Sequence, residues 1–129
     1  MAGANVRMFT AEQANALLAS LRGQVDHMRE ASRSLRQARP VLDGLLEKAS
    51  YAGGVRVPGG IYRAMETLHD AVTGIQEQGV LVKDVTSGLL DFPSERNGSI
   101  VFLCWKAGEP EVSHWHSVEA GFDSRQPLD

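Results

Sequence analysis

Apolar residues recur in steps of four and three through the first part of the chain: Ala14, Leu18, Leu21, Val25, Met28, then Leu35, Leu42, Leu46 and Ala49. That spacing lays them along one stripe of an α-helix, a heptad seam interrupted by Ser32 and Arg39. Thr10 and Gln13 fit a capping box at the start of the stripe, and Pro40 should kink or end the helix near its middle. One long bent helix, or two in succession, is therefore expected over residues 11–50. The glycine-rich stretch from Ala52 to Gly60 reads as a connection. Ile61, Met65, Leu68, Val72 and Ile75 repeat the helical spacing, and Gly79 is placed to stop that helix. The two helices should pair as an antiparallel hairpin in which the shorter second helix covers only the later half of the first. Leu17, Leu18, Leu21, Val25 and Met28 then need another apolar surface, from the C-terminal region or from a second copy of the protein.

After Gly79 the period changes to two. Val80–Val85 is a candidate strand, and Asn97-Gly98 between β-rich runs signals a two-residue hairpin turn. With that turn, Arg96 faces Ser99, Phe92 faces Leu103 and Asp91 faces Cys104. One face of the hairpin carries Leu90, Phe92, Val101, Leu103 and Trp105, and is the core face. The other carries Asp91, Glu95, Ile100, Phe102 and Cys104, and is mixed. A second turn at Ala107–Pro110 leads to Val112–His116. If its loop is even, Lys106 faces Glu111 as a favourable cross-strand pair, Trp115 joins Asp91 and Cys104, and His114 and His116 turn to the core side. An odd loop exchanges them, because one residue of register flips every side chain. The Lys106–Glu111 pair favours the even loop.

These periods give an α+β fold: a long antiparallel helical hairpin followed by a small antiparallel β-meander of three to four strands. One domain is expected, with residues 1–9 as a leader, 10–79 as the helical hairpin and 80–129 as the sheet region. The length of 129 residues and a hydrophobic content of 43% support a single packed core and exclude wholesale disorder. The single cysteine excludes an internal disulfide and suits a reducing, cytoplasmic location. No apolar run approaches membrane-spanning length. The net charge of −3 is uneven, with +1 over residues 1–79 (nine Lys/Arg against eight Asp/Glu) and −4 over 80–129 (four against eight). That balance makes nucleic acid a poor ligand for the second half. Arg22, Arg29, Arg33, Arg36 and Arg39 form a basic stripe on the first helix, which reads more simply as a solvated face.

The side chains with chemistry concentrate between Val80 and Pro127, which hold both tryptophans, the cysteine and two of the four histidines. His114 and His116, two apart on a strand, point the same way, and with Glu111 or another carboxylate they can form a zinc or iron site. Few ligands stand beside them, so a histidine at the rim of the core is the simpler reading. Cys104 opposite Asp91 should have a raised pKa, which argues against a nucleophile. Asp91, Glu95 and Glu109 can act as paired carboxylates, or more simply cap turns and pair with Arg96 or Arg125. Trp115 beside acidic groups can stack a ligand or anchor a partner.

Phe9-Thr-Ala-Glu-Gln-Ala-Asn-Ala-Leu-Leu18 near the start resembles the opening of an uncharacterised bacterial family, one of the domains of unknown function. The likeness continues at Val82-Lys-Asp, Leu90-Asp-Phe-Pro, Arg96, Gly98, Leu103-Cys-Trp, Gly108-Glu-Pro-Glu111, Trp115-His116, Gly121-Phe122, Arg125 and Pro127. The resemblance implies no activity. Its pattern carries His116 but no histidine at 114, which counts against a two-histidine metal centre. The sequence thus points to a non-catalytic binding or interaction module with a small-ligand pocket on the C-terminal sheet. Its candidate lining is Asp91, Glu95, Arg96, Cys104, Glu109, Trp115, His116 and Arg125. No cofactor is expected, no membrane partner, and self-association as a homodimer. The alternative is a small metal-dependent enzyme using His116 and nearby carboxylates, with His114 and Glu111 as further ligands and zinc or iron as the metal.

Overall fold

The computed structural model describes residues 7–52, 54 and 56–129. It consists of three helices followed by an antiparallel sheet, an α+β layout with the two kinds of element segregated along the chain. Helix α1 spans Ala11–Gln37, α2 Arg39–Ala52 and α3 Gly59–Glu77. The strands are β1 Leu81–Asp84, β2 Leu89–Arg96, β3 Ser99–Lys106, β4 His114–Ser117 and β5 Gln126–Pro127, paired in that order as a meander. The fifth strand, two residues long, is one more than the sequence suggested. Residues 1–6 of the expected leader and Gly53 and Val55 of the glycine-rich connection lie outside the described residues. The last leader residue, Phe9, belongs to the core instead: it is buried, its N–H donates to the Pro93 carbonyl at 2.7 Å, and its ring meets Phe92 edge-on at 5.4 Å.

Helix α1 starts where the cap demands. The Thr10 hydroxyl accepts from Gln13 N–H at 3.1 Å while the Gln13 side chain accepts from Thr10 N–H at 2.9 Å, a complete capping box. It ends at Ala38, just before Pro40, whose missing N–H suits the first turn of α2. Ala14, Leu18, Leu21, Val25 and Met28 are all buried. The expected antiparallel helical hairpin forms, but nearer the middle of the 11–50 segment than its later half. Gln24 lies against Gly74, and Ser34 and Gly60 line one groove, so α3 runs antiparallel along the second half of α1 rather than along α2. The kink at Ala38 carries α2 away from this pair, and Leu46 on the seam is 67% exposed.

The surface that Leu18, Leu21, Val25 and Met28 require comes from the sheet. They form one cluster with Leu90, Phe92, Leu103, Trp105 and Val112, with Trp115 packed against it. Polar residues on α1 fix the sheet's turns. Asn15 clamps the Val112 backbone, donating to its carbonyl at 3.2 Å and accepting from its N–H at 2.6 Å. Arg22 donates to the Pro110 carbonyl at 2.6 Å and Arg29 to the Thr86 carbonyl at 3.1 Å. Ser32, which interrupts the seam, is buried against the Thr86 hydroxyl at 3.1 Å. The basic stripe is therefore partly spent on holding the sheet.

The β2–β3 hairpin has the expected register, Phe92 opposite Leu103 and Asp91 opposite Cys104, around an Asn97-Gly98 turn with both residues at positive φ. The β3–β4 hairpin does not. Leu103 faces Trp115, Cys104 faces His114 and Phe102 faces His116, one residue away from the register that pairs Lys106 with Glu111. Trp115 therefore lies on the core side, and His114 and His116 share the mixed face with Cys104. The reason lies in the turn. Glu109 accepts the Lys106 N–H at 2.8 Å, Trp105 Nε1 donates to the Glu109 carbonyl at 3.0 Å, and Asn15 holds Val112. Two part-buried hydrogen bonds and one exposed one together outweigh a single exposed Lys–Glu pair, worth about 0.2–1 kcal/mol.

Gly88 sits where the β1–β2 turn meets α1, at φ +71°, and a Cβ there would lie 2.8 Å from Ala107 Cβ and 3.2 Å from Val25. Left-handed strain of about 1–2 kcal/mol adds to overpacking of about 1–3 kcal/mol. Gly88→Ala should thus destabilise the fold by about 2–5 kcal/mol in urea unfolding, whereas Gly98→Ala, with open space around it, should cost only the backbone strain.

Candidate functional site

The mixed face is the outer face of the sheet, turned away from the helices. Three adjacent strands bring Asp91 (β2), Cys104 (β3) and His116 (β4) together there, and all three are buried, with exposures of 1%, 0% and 4%. His116 Nε2 stands 3.1 Å from both Asp91 carboxylate oxygens, and His116 Nδ1 is 2.8 Å from the Ser117 carbonyl. A carbonyl only accepts, so Nδ1 carries a hydrogen and donates it. Nε2 and the carboxylate then share one proton between them. No buried side-chain nitrogen or oxygen among the described residues lacks a partner.

Arg125 and Glu109 cover the cluster. The guanidinium makes a two-pronged pair with the Glu109 carboxylate, Nη1 to Oε1 at 3.0 Å and Nη2 to Oε2, and its charge also bears on the Cys104 thiol. Phe122 lies 4.1 Å from the same guanidinium, in the short helical turn Phe122–Ser124 just before it. The Phe102 ring flanks His116 at 5.6 Å. Burial, followed by the neighbouring Asp91 charge, pushes the Cys104 thiol up to about 11, with Arg125 pulling it partly back. The Arg125 hydrogen bond holds the Glu109 carboxyl below its ordinary range, against the opposing effect of burial. Glu109 reciprocally raises Arg125.

The expected pocket is split by the sheet. Asp91, Cys104, His116, Glu109 and Arg125 meet on the outer face. Arg96 and Trp115 meet elsewhere, on the helix-facing side, with the guanidinium 4.8 Å from the ring and 3.4 Å from the exposed Asp129 carboxylate. The two groups cannot line one small-ligand cavity. Glu95 and Glu111 are exposed, and neither contributes to the convergent cluster. His114, half-buried, points its Nδ1 to the Ser113 hydroxyl at 3.1 Å and likewise stands outside it. The set that converges, with its ligand atoms all within 4.8 Å of one another, is Asp91, Cys104 and His116. The sequence carried all three, but only the odd loop, which gave way to the Lys106–Glu111 pairing, puts His116 beside the other two. Asn15 is the residue that sequence reasoning passed over, and its signal was a lone amide within an apolar helical stripe.

A second feature of the outer face is apolar. Leu81, Pro93, Ile100, Phe102 and Val118 line a depression of about 600 Å³ together with Arg7, Gln76, Gly79 and Val80. Leu81, Ile100 and Val118 are 38%, 55% and 54% exposed, which is high for large apolar side chains next to one another.

The chain belongs to the family described as an uncharacterized conserved protein, DUF2203, whose model matches residues 7–128. No curated protein and no solved structure matches the chain significantly.

A thiol raised from 9.0 to about 11 holds its proton in the folded chain and loses it more readily once unfolded. Its contribution to stability is therefore complete below pH 9 and is lost as the pH rises from about 9 through 11. Native Cys104 should react with iodoacetamide at pH 8 at least about a hundredfold more slowly than in urea, since two pKa units are a hundredfold in thiolate. Comparable rates in the two states would contradict the site's geometry.

Proposed function

We propose that the protein is a non-catalytic interaction module that uses the outer face of its sheet to bind a second copy of itself. The observation that carries this reading is the open apolar depression lined by Leu81, Pro93, Ile100, Phe102 and Val118, in which Leu81, Ile100 and Val118 are exposed. Its openness favours a protein surface over a small molecule, which needs a concave site that buries most of it. Charge favours a copy of the same chain. Arg7 and Lys83 lie at the β1 side of the face, with Lys83 5.4 Å from the Phe102 ring, while the exposed Glu119 lies at the β4 side. A twofold axis through the patch sets the basic side of one copy over the acidic side of the other, with sheet packed on sheet. The apolar stripe of α1 no longer calls for a partner, because the sheet covers it.

The polar cluster supports the non-catalytic part of the reading. Cys104 is a protonated, buried thiol, and both His116 nitrogens are engaged by Ser117 and Asp91. Nucleophilic catalysis needs a thiolate beside a free base.

Sedimentation equilibrium at micromolar concentration should give a dimer for the wild type. Ile100→Lys combined with Val118→Lys should weaken association by more than about a hundredfold with unchanged circular dichroism, because each buried side chain is worth about 1.5–3 kcal/mol. A wild-type monomer at these concentrations, or a double variant that stays dimeric, would overturn the reading.

A further inference from the structure

We infer that Asp91, Cys104 and His116 are the protein ligands of a divalent-metal site of the zinc type. The inference goes beyond the proposed self-association and stands whether or not the chain dimerises. Three neighbouring strands each contribute one donor, a carboxylate oxygen, a sulfur and an imidazole nitrogen, all within 4.8 Å of one another. A tetrahedral zinc with bonds of about 2.0–2.3 Å has ligand-to-ligand spacings of roughly 3.3–3.8 Å. The 3.1 Å between His116 Nε2 and Asp91 lies just under that spacing, so these two donors need only part slightly. Cys104 Sγ lies within 4.8 Å of both other donors, so closing the site asks of it an approach of no more than about 1–1.5 Å, within the reach of a side-chain rotation.

The surroundings agree with a metal. His116 Nδ1 donates to the Ser117 carbonyl at 2.8 Å, which fixes the ring and aims Nε2 into the cluster. A backbone carbonyl on the far nitrogen is the usual support of a metal-bound imidazole. The Arg125 charge favours a thiolate at Cys104, and Glu109 in turn holds Arg125 in both prongs. The charges also close. A carboxylate and a thiolate carry two negative charges, and one divalent cation neutralises them inside a buried cluster; Arg125 and Glu109 neutralise each other outside it. On binding, the thiol proton and the proton shared by Asp91 and His116 leave as two H⁺. Sulfur, nitrogen and oxygen together select zinc or ferrous iron over magnesium and calcium, and the fourth position is left to water. The metal would tie β2, β3 and β4 through their side chains, a covalent-like brace across the centre of the outer face.

The test is titration of the untagged, metal-stripped full chain with Co²⁺. The chain has a single cysteine, so a thiolate-to-cobalt charge-transfer band in the near-ultraviolet reports Cys104 and nothing else. The band should saturate at one equivalent and vanish when Zn²⁺ is added. Cys104→Ala should abolish it, Arg125→Gln should weaken binding about ten- to hundredfold, and His114→Gln should leave the affinity unchanged. The wild type alone decides the matter even if the cysteine variant does not fold: a folded wild-type chain that shows no such band under excess Co²⁺ overturns the inference. Affinity that collapses in His114→Gln overturns the ligand assignment as well.

Discussion

The register of the β3–β4 hairpin is the constraint on which the rest of the structure depends. With Cys104 opposite His114, Trp115 turns inward to the core and His116 turns outward to meet Asp91. A shift of one residue would place a tryptophan on the outer face and an imidazole against Leu103 and the helix α1 stripe. The turn that sets this register is overdetermined. Glu109 binds the Lys106 N–H and Arg125, its carbonyl takes the Trp105 indole, and Asn15 of α1 clamps Val112 with two hydrogen bonds. A buried carboxylate beside a buried imidazole is costly unless each satisfies the other, so the same register that costs desolvation at Asp91 and His116 also supplies their pairing.

Helix α1 is the second organising element, because one apolar stripe serves two surfaces. Its early residues, Leu18, Leu21 and Val25, join the sheet's core face, and its later part carries α3. The flanking polar residues extend the attachment, with Arg22 and Arg29 each reaching a loop carbonyl and Arg22 also lying 5.6 Å from the Trp105 ring. Arginine suits both duties, since its stem packs along apolar surface while its planar head donates. Helix α2 stands apart from this arrangement, and Leu46 on its heptad seam remains 67% exposed.

Much of this was legible in the residues. Thr10 and Gln13 marked the start of α1, Pro40 its end, Gly79 the end of α3, and Asn97-Gly98 the first hairpin with its full register. Those signals are local: each rests on contacts between residues a few positions apart. The failures were non-local. Where along the first helix α3 docks depends on where a connection of several residues returns, and periodicity says nothing about that. The second hairpin's register depends on Asn15, nearly a hundred positions away, and on Arg125 beyond the next strand, neither of which enters a cross-strand pairing argument. The site followed the register. Asp91 and Cys104 were placed correctly on one face by the first hairpin, while His116 and Trp115 were exchanged by the second. Arg96 and Trp115 then fell to the other side of the sheet, where they stack on each other instead of lining the same pocket as Asp91.

Membership of an uncharacterized conserved family leaves the outer face to be read on its own physics. That face holds two unlike features side by side, an open apolar surface and a closed polar cluster roofed by Arg125, Glu109 and Phe122. The polar cluster exists only in the observed register, which also turns Val118 to the apolar surface, so the register is the most direct point of test. Cross-strand nuclear Overhauser contacts in the isotope-labelled protein report it without substitution. The account predicts backbone contacts joining Cys104 to His114 and Phe102 to His116. Contacts that instead join Cys104 to Ser113 and Lys106 to Glu111 would contradict it.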